Sequence, residues 1–471
     1  MKLILIILTI LSLGTAASAQ KYSFTFKTDK ATDSVMYLGQ HFRDKLIILD
    51  TAKVEKGVVR FDGTRQWKRG VYVLIDQTKN KGVLDFMVDD SQTMTFTLKG
   101  NSTKVKGSES NQKMFDFLAY EESARAKAKE LEERDDRTDA AKELEALNRN
   151  MQAWEDREIE KNRKYLFFEL LGHFRGVQVP EEIEDKPYYY RQHYWDGIDL
   201  SNHDFIYTPN LFNKVNYYFF GLLYHSDKDT ICKYADLFLE KIENDSTMMN
   251  YVMEFIMPKY YRSTKNIGWD ATWCYLVKKY YLTGKCPWAT KGELTNKIKT
   301  MQFLEKSLIG ARGAELWMAD TNQSSNPQDW ISSHRLNYPY VILWFWDPDC
   351  HHCQEQTATL KALYDSLSVS DIRPRPFEVY AVGYESDVEK WKAYVKEHEL
   401  PFVNVGGPNV NIDYQEAYNV HGAPTMIILN HKREIIMNKT LPTEAIIPFL
   451  EEYEKKNNLD LGWREPMKNK H

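Results

Sequence analysis

The stretch Tyr340-Val-Ile-Leu-Trp-Phe-Trp-Asp-Pro-Asp-Cys350-His-His-Cys353 decides how this chain is read. An apolar, strand-forming run passes through an Asp-Pro-Asp turn into two cysteines separated by two residues. Cysteines at i and i+3 on a turn that opens a helix lie close enough to close a small disulfide, and the first sulfur points to solvent. The unpaired N–H groups and positive dipole end of that helix favour thiolate over thiol at Cys350 and make it a nucleophile. Cys353, one turn in and more shielded, is the expected resolving thiol.

The same spacing also describes half of a zinc site. The other cysteines, Cys232, Cys274 and Cys286, form no second Cys-x-x-Cys pair. His351 and His352 would complete a Cys₂His₂ set, but adjacent helical positions point about 100° apart, so four consecutive residues cannot easily surround one tetrahedral ion. Redox chemistry is the preferred reading, no metal or cofactor is expected, and copper or zinc handling through Cys350, His351, His352 and Cys353 is the alternative.

Downstream, the pattern predicts a helix from Cys350 to about Ser368, a strand Phe377–Gly383, a helix Asp387–His398 and a short strand Phe402–Val405. Val420-His-Gly-Ala-Pro424-Thr-Met-Ile-Ile-Leu429 then places a proline at the start of a β-run, where a central strand would exclude it. A strand Glu434–Met437 and a helix from Thr443 to about Lys455 follow.

This order, with its dithiol and its proline, resembles the thioredoxin fold, and within it the extracytoplasmic thiol-disulfide oxidoreductases that include TlpA and ResA. The resemblance runs from about Leu308 to Leu459. Its lead-in, Ile309 to Asp320, looks like the first strand of that branch, and Phe377–Gln415 like its βα insertion. The resemblance implies that Cys350 attacks, Cys353 resolves, and Pro424 is a cis-proline that, with Ala423 and Thr425 beside it, receives substrate backbone. It also implies protein thiols and disulfides as substrates.

Three positions depart from the family pattern. Trp344 stands where many thioredoxins keep a buried acidic residue. Asp349 replaces the usual Trp before the nucleophile, and its charge disfavours the thiolate unless it serves only to cap the helix. His352 pulls the other way, since a histidine between the cysteines stabilises the reduced form and makes the pair more oxidising. His351 reads as a solvated side chain. A peroxide-binding arrangement is disfavoured, because Leu343 and Asp347 occupy the places of its Pro and Thr/Ser.

Met1-Lys2, an apolar run Leu3–Leu13 and Ala17-Ser-Ala19 read as a secretory signal peptide over residues 1–19, cleaved before Gln20. A spanning helix needs about 20 apolar residues, more than this run holds, so the mature protein is expected to be extracytoplasmic or periplasmic and not transmembrane. In that oxidising space a reductase needs an electron source, which implies a membrane-bound donor. A net charge of -5, with basic and acidic residues interleaved, gives no case for nucleic acid.

Between the signal and the dithiol domain, 471 residues leave room for two further domains. Residues 20–106 alternate short β-runs with polar turns, predicting an antiparallel sheet or small barrel. Asp89-Asp90 in this domain reads as a solvated turn. Residues 107–307 are helical by pattern. Ala140, Leu144, Leu147, Met151 and Trp154 mark one apolar stripe within a charge-laced stretch Glu121–Lys164, and aromatics are dense from Tyr165 to Tyr281. These two domains resemble the β-domain and a helical domain of unknown function that precede TlpA-like domains. Residues 308–471 complete the expected multi-domain chain as an α/β thioredoxin-like domain. The expected function is extracytoplasmic thiol-disulfide exchange in the reducing direction; a disulfide oxidant or isomerase, or a partner-binding scaffold, are the alternatives.

Overall fold

The computed structural model describes residues 22–28, 35–76, 81–100, 102–262, 266–368, 375–384 and 387–463. The segment read as a signal peptide lies outside them. Among the described residues no helix is long and apolar enough to cross a membrane.

The chain forms two compact units, one of residues up to Tyr224 with Phe238–Val252, the other of His225–Leu237 with Met253 onward. In the first, eight strands are β1 (Tyr22–Thr28), β2 (Val35–Phe42), β3 (Lys45–Glu55), β4 (Val58–Gly63), β5 (Gly70–Asp76), β6 (Lys81–Val88), β7 (Thr93–Lys99) and β8 (Ser102–Lys106). They form one open sheet in the order β6-β5-β2-β3-β4-β1-β7-β8. Alternation of buried and exposed positions, clearest in β7, sends Phe24, Phe26, Met36, Leu38, Phe86 and Phe96 into a common core. The sheet is antiparallel except where β1 runs parallel to β7, with Phe24 opposite Met94 and Phe26 opposite Phe96. Residue alternation reports which face is buried, not strand direction, so the parallel pair is invisible in the pattern.

The helices that follow are α1 (Glu109–Glu132), α2 (Arg137–Asn162), α3 (Leu166–His173), α4 (Lys186–Gln192) and α5 (Pro209–Tyr217). The stretch Glu121–Lys164 is thus two helices, broken at Glu133–Asp136, with Trp154 of α2 stacked on Phe117 of α1 at 4.7 Å. The Asp89 carboxylate is buried and not solvated, whereas Asp90 beside it is exposed in the bend. Asp90 accepts from the backbone N–H groups of Glu109 and Ser110 and caps α1. Asp89 takes hydrogen bonds from Arg69, Ser110 and the Leu166 N–H, each at 2.7 Å. These partners lie up to 77 residues away, which is why local sequence misplaced the pair.

The second unit contains α8 (Trp269–Leu276) and α9 (Lys291–Glu305), numbered after α6 (Lys228–Ile242) and α7 (Ser246–Arg262), which contribute to both units. Its α/β part comprises β9 (Trp317–Asp320), β10 (Ile331–Ser332), β11 (Tyr340–Trp346), α10 (His351–Ser368), β12 (Phe377–Gly383), α11 (Val388–Glu397), β13 (Val403–Val410), α12 (Tyr414–Tyr418), β14 (Thr425–Leu429), β15 (Ile435–Met437) and α13 (Ile446–Asn457). The sheet order is β10-β9-β13-β12-β11-β14-β15. Central β11 pairs parallel with β12 and antiparallel with β14. Every residue of β11 is buried, as its unbroken apolar run requires of a strand covered on both faces. Tyr340, Ile342, Trp344 and Trp346 pack with Cys353, Leu360 and Leu450, while Val341, Leu343 and Phe345 meet Leu316, Tyr418 and Val420 on the other side.

The lead-in Ile309–Asp320 is strand only in its last four residues. Before them the backbone clips the edge beside β15, the Gly310 N–H donating to Ile435 and the Gly313 N–H to Arg433, each at 2.8 Å. A Cβ on Gly313 would stand 2.7 Å from the Tyr418 hydroxyl, so this close approach needs glycine.

Candidate active site

β11 ends at Trp346, and Asp347-Pro348-Asp349 turns the chain into α10. Asp347 holds the turn: its carboxylate accepts from the Asp349 N–H at 2.8 Å and its carbonyl from the Cys350 N–H at 3.1 Å. Asp347 thus closes the turn that leads into α10, and the Asp349 carboxylate is engaged elsewhere, by Lys390. Gln354 closes the first turn, its N–H donating to the Cys350 carbonyl at 3.0 Å and its side chain to the Pro348 carbonyl at 2.7 Å.

Cys350 is half-buried immediately before α10, and Cys353 lies fully buried one turn further on. Both are free thiols. Burial holds the Cys353 thiol well above the ordinary thiol range, and its hydrogen bond with Cys350 adds to the shift. The Cys350 Sγ sits 3.9 Å from the Ala423 carbonyl oxygen, within reach of a weak S–H···O contact.

The Ala423–Pro424 peptide is cis. Thr425 donates from Oγ1 to the Gly422 carbonyl at 2.7 Å and begins β14, where it stands opposite Phe345 of β11. Thr440 ties the other flank, accepting from the Met426 N–H at 3.2 Å. Sheet pairing thus delivers the proline loop to the dithiol, and Cys350, Cys353, Ala423, Pro424 and Thr425 come together.

The flanking side chains lie differently. The Asp349 carboxylate meets Lys390 of α11 at 2.9 Å, both groups mostly exposed, so its negative charge is partly offset. His351 and His352 are exposed and both face Glu355, at 3.3 and 3.6 Å. Trp344 is buried with its indole N–H donated to Thr357 Oγ1 at 3.0 Å, and no carboxylate takes its place. Sequence reasoning missed Lys390, Glu355 and Tyr394. Tyr394 packs on Trp346 at 5.3 Å; burial raises its phenol, and the charges of Glu397 and Cys353 raise it further. Glu355 was detectable, since i+3 and i+4 neighbours of the two histidines share their helix face. Lys390 and Tyr394 were not, being brought in by the βα crossover.

Among the described residues no group of three or more His, Cys, Asp or Glu is placed to hold a metal ion.

Residues 338–435, which carry the dithiol, the cis-proline and β11–β14, match the thioredoxin-like family model. The C-terminal domain is thioredoxin-like. Ahead of the thioredoxin-like domain, residues 22–114 match a domain of unknown function, DUF4369, and residues 130–305 another, DUF5106. Among solved structures, a thioredoxin-like protein from Bacteroides caccae is 16% identical, covering 59% of this chain and 98% of that one, with a TM-score of 0.46. A domain of a possible thiol-disulfide isomerase from Cytophaga hutchinsonii is 25% identical over 32% of this chain and 96% of that one, TM-score 0.28. StoA from Bacillus subtilis is 21% identical over 29% and 96%, TM-score 0.23. No curated protein matches the chain.

Proposed function

We propose that the thioredoxin-like domain exchanges disulfides with protein substrates. The observation that carries this reading is the half-buried Cys350 Sγ at the start of α10, facing the carbonyl that precedes the cis-proline, with Cys353 buried one turn behind. The Cys350 thiolate attacks one sulfur of a substrate disulfide, forming a mixed disulfide and releasing the other sulfur as a thiolate that takes up a proton. Cys353 then loses its proton and attacks Cys350 Sγ, expelling the second substrate thiolate and leaving the Cys350–Cys353 disulfide. A donor dithiol returns two electrons for the next cycle.

We assign the reducing direction and an extracytoplasmic site of action, with a membrane-bound donor as the electron source. The support is the leader-like N-terminus, together with the tendency of a dithiol in an oxidising compartment to drift to disulfide unless a donor reduces it. Equilibrating the chain against glutathione and dithiothreitol buffers tests the reading. A Cys350/Cys353 potential near or below that of thioredoxin, about -270 mV, fits a reductase, and one near about -120 mV replaces it with an oxidant. Failure to form the disulfide overturns exchange altogether.

A further inference from the structure

Beside the proline loop lies a cleft of about 500 Å³ with two kinds of wall. One is the thioredoxin-like domain itself, through His421, Pro424, Thr425 and Lys439; the other is helical, from Tyr261 at the end of α7, Asp270 in the first turn of α8 and Leu304 near the end of α9. All of these residues belong to the second compact unit. The walls are joined: Asn438 donates to the Asp270 carboxylate at 2.8 Å and to the Ser307 carbonyl at 3.0 Å, and Phe303 stacks on His421 at 5.6 Å.

We propose that the cleft takes the polypeptide segment flanking the substrate's cysteine, so that the helical wall selects which disulfides reach Cys350. The inference rests on the exchange function proposed above. Position supports it first, because the cleft adjoins Pro424, and the residue before that proline touches the nucleophile. Chemistry supports it second. Asp270 brings a carboxylate to the wall, largely buried and already accepting from Asn438 at 2.8 Å and the Ala271 N–H at 2.9 Å, with Lys439 at 3.7 Å. The lining residues Asn419 and Asn438 hold buried amide oxygens that no donor reaches among the described residues. Such a surface suits an extended chain bearing N–H donors, in its backbone and in a lysine, arginine or amide side chain. Tyr261, about half exposed, supplies a flat apolar face for the same segment.

The test uses the full chain carrying Cys353→Ser, with two probes. One is a set of short peptides with a central cysteine, randomised flanks and the sulfur activated as a thionitrobenzoate disulfide; the other is the small disulfide dithiobisnitrobenzoate. In both, Cys350 attacks the disulfide and coloured thionitrobenzoate leaves. Tyr261→Ala and the isosteric Asp270→Asn are expected to lower the ratio of peptide rate to small-disulfide rate about tenfold, the loss of a contact worth a decade in affinity. Donor-rich flanks are expected among the peptides captured by the parent and to be lost from the variants. A ratio unchanged in both variants, with the same flanks captured, overturns the inference while leaving exchange intact. No thionitrobenzoate from either probe overturns exchange and this inference with it.

Discussion

The Sγ of Cys350 faces the carbonyl oxygen of Ala423 at 3.9 Å, across a sequence separation of 73 residues. That contact closes the gap between the start of α10 and the loop that feeds β14. Under the proposed exchange, a polypeptide that reaches the sulfur would pass beside Gly422–Thr425.

Cys350→Ser is expected to abolish exchange, because the other four cysteines are buried. Cys353→Ser keeps the attacking sulfur but cannot resolve, so it accumulates a mixed disulfide with substrate. Intact-mass spectra under non-reducing conditions separate the two; a Cys353→Ser protein that turns over normally sinks the assigned roles.

Resolution should depend on pH through Cys353. Burial raises this thiol in the folded state, and the thiolate is the attacking form. The single-turnover rate of mixed-disulfide resolution is expected to keep rising beyond about pH 8.5, where an ordinary thiol levels off. Quenched-flow sampling of the intermediate reads this directly, and a rate flat from neutral pH upward contradicts it.

Asp349 and Lys390 should move Cys350 reactivity in opposite directions. Removing the cation in Lys390→Ala leaves the Asp349 charge unopposed on the residue preceding Cys350, whereas Asp349→Asn removes that charge. Slower alkylation of Cys350 by iodoacetamide is expected in the first variant and faster in the second. Since the pair is exposed, Lys390→Ala should leave the denaturation midpoint nearly unchanged.

Thr357→Val strands the buried Trp344 indole N–H behind the active-site helix. An unsatisfied buried donor costs about 1–3 kcal/mol, so the unfolding free energy should fall by that amount, seen as a lower urea midpoint with little change in slope. In the first unit, Asp89→Ala leaves Arg69 paired with Glu169 at 2.6 Å but strands the Ser110 hydroxyl and the Leu166 N–H, and a loss of about 1–3 kcal/mol is expected.

The buried thiols away from the site predict a base-sensitive fold. Burial pushes Cys232 up to about 11 and Cys274 and Cys286 up to about 12. Unfolded thiols ionise near about 8.5, so as pH rises the unfolded chain loses these protons first. Their contribution to stability is complete below that value and disappears as pH climbs through the folded values. Denaturation midpoints of the reduced protein should therefore drop between about pH 9 and the folded range, and a midpoint constant across it refutes the assignment.

Much of the site was legible because its signals are local. The apolar run Tyr340–Trp346, the turn and the helix begun by the two cysteines follow from residue order, and Phe377–Gly383 forms the expected strand. Where elements were misjudged, a local signal met a non-local demand. Ile309–Leu316, expected as part of the lead-in strand from its resemblance to the TlpA branch, is used to clip the sheet edge at Arg433 and Ile435. Asp89 looked like a turn carboxylate until Arg69, Ser110 and Leu166 converged on it.

By itself the sequence determined that two sulfurs stand one helical turn apart at the mouth of a strand, because helix periodicity and the orphan N–H groups of a helix start act within a few residues. It equally determined that β11 is buried on both faces, since a run without polar residues has no side to give to water. Only the tertiary structure decided what those sulfurs face. Ala423 is brought to Cys350 by the antiparallel pairing of β11 with β14, and Lys390 and Tyr394 by the crossover through α11. Register and crossover are set by packing summed over the whole sheet, which no short stretch of chain encodes.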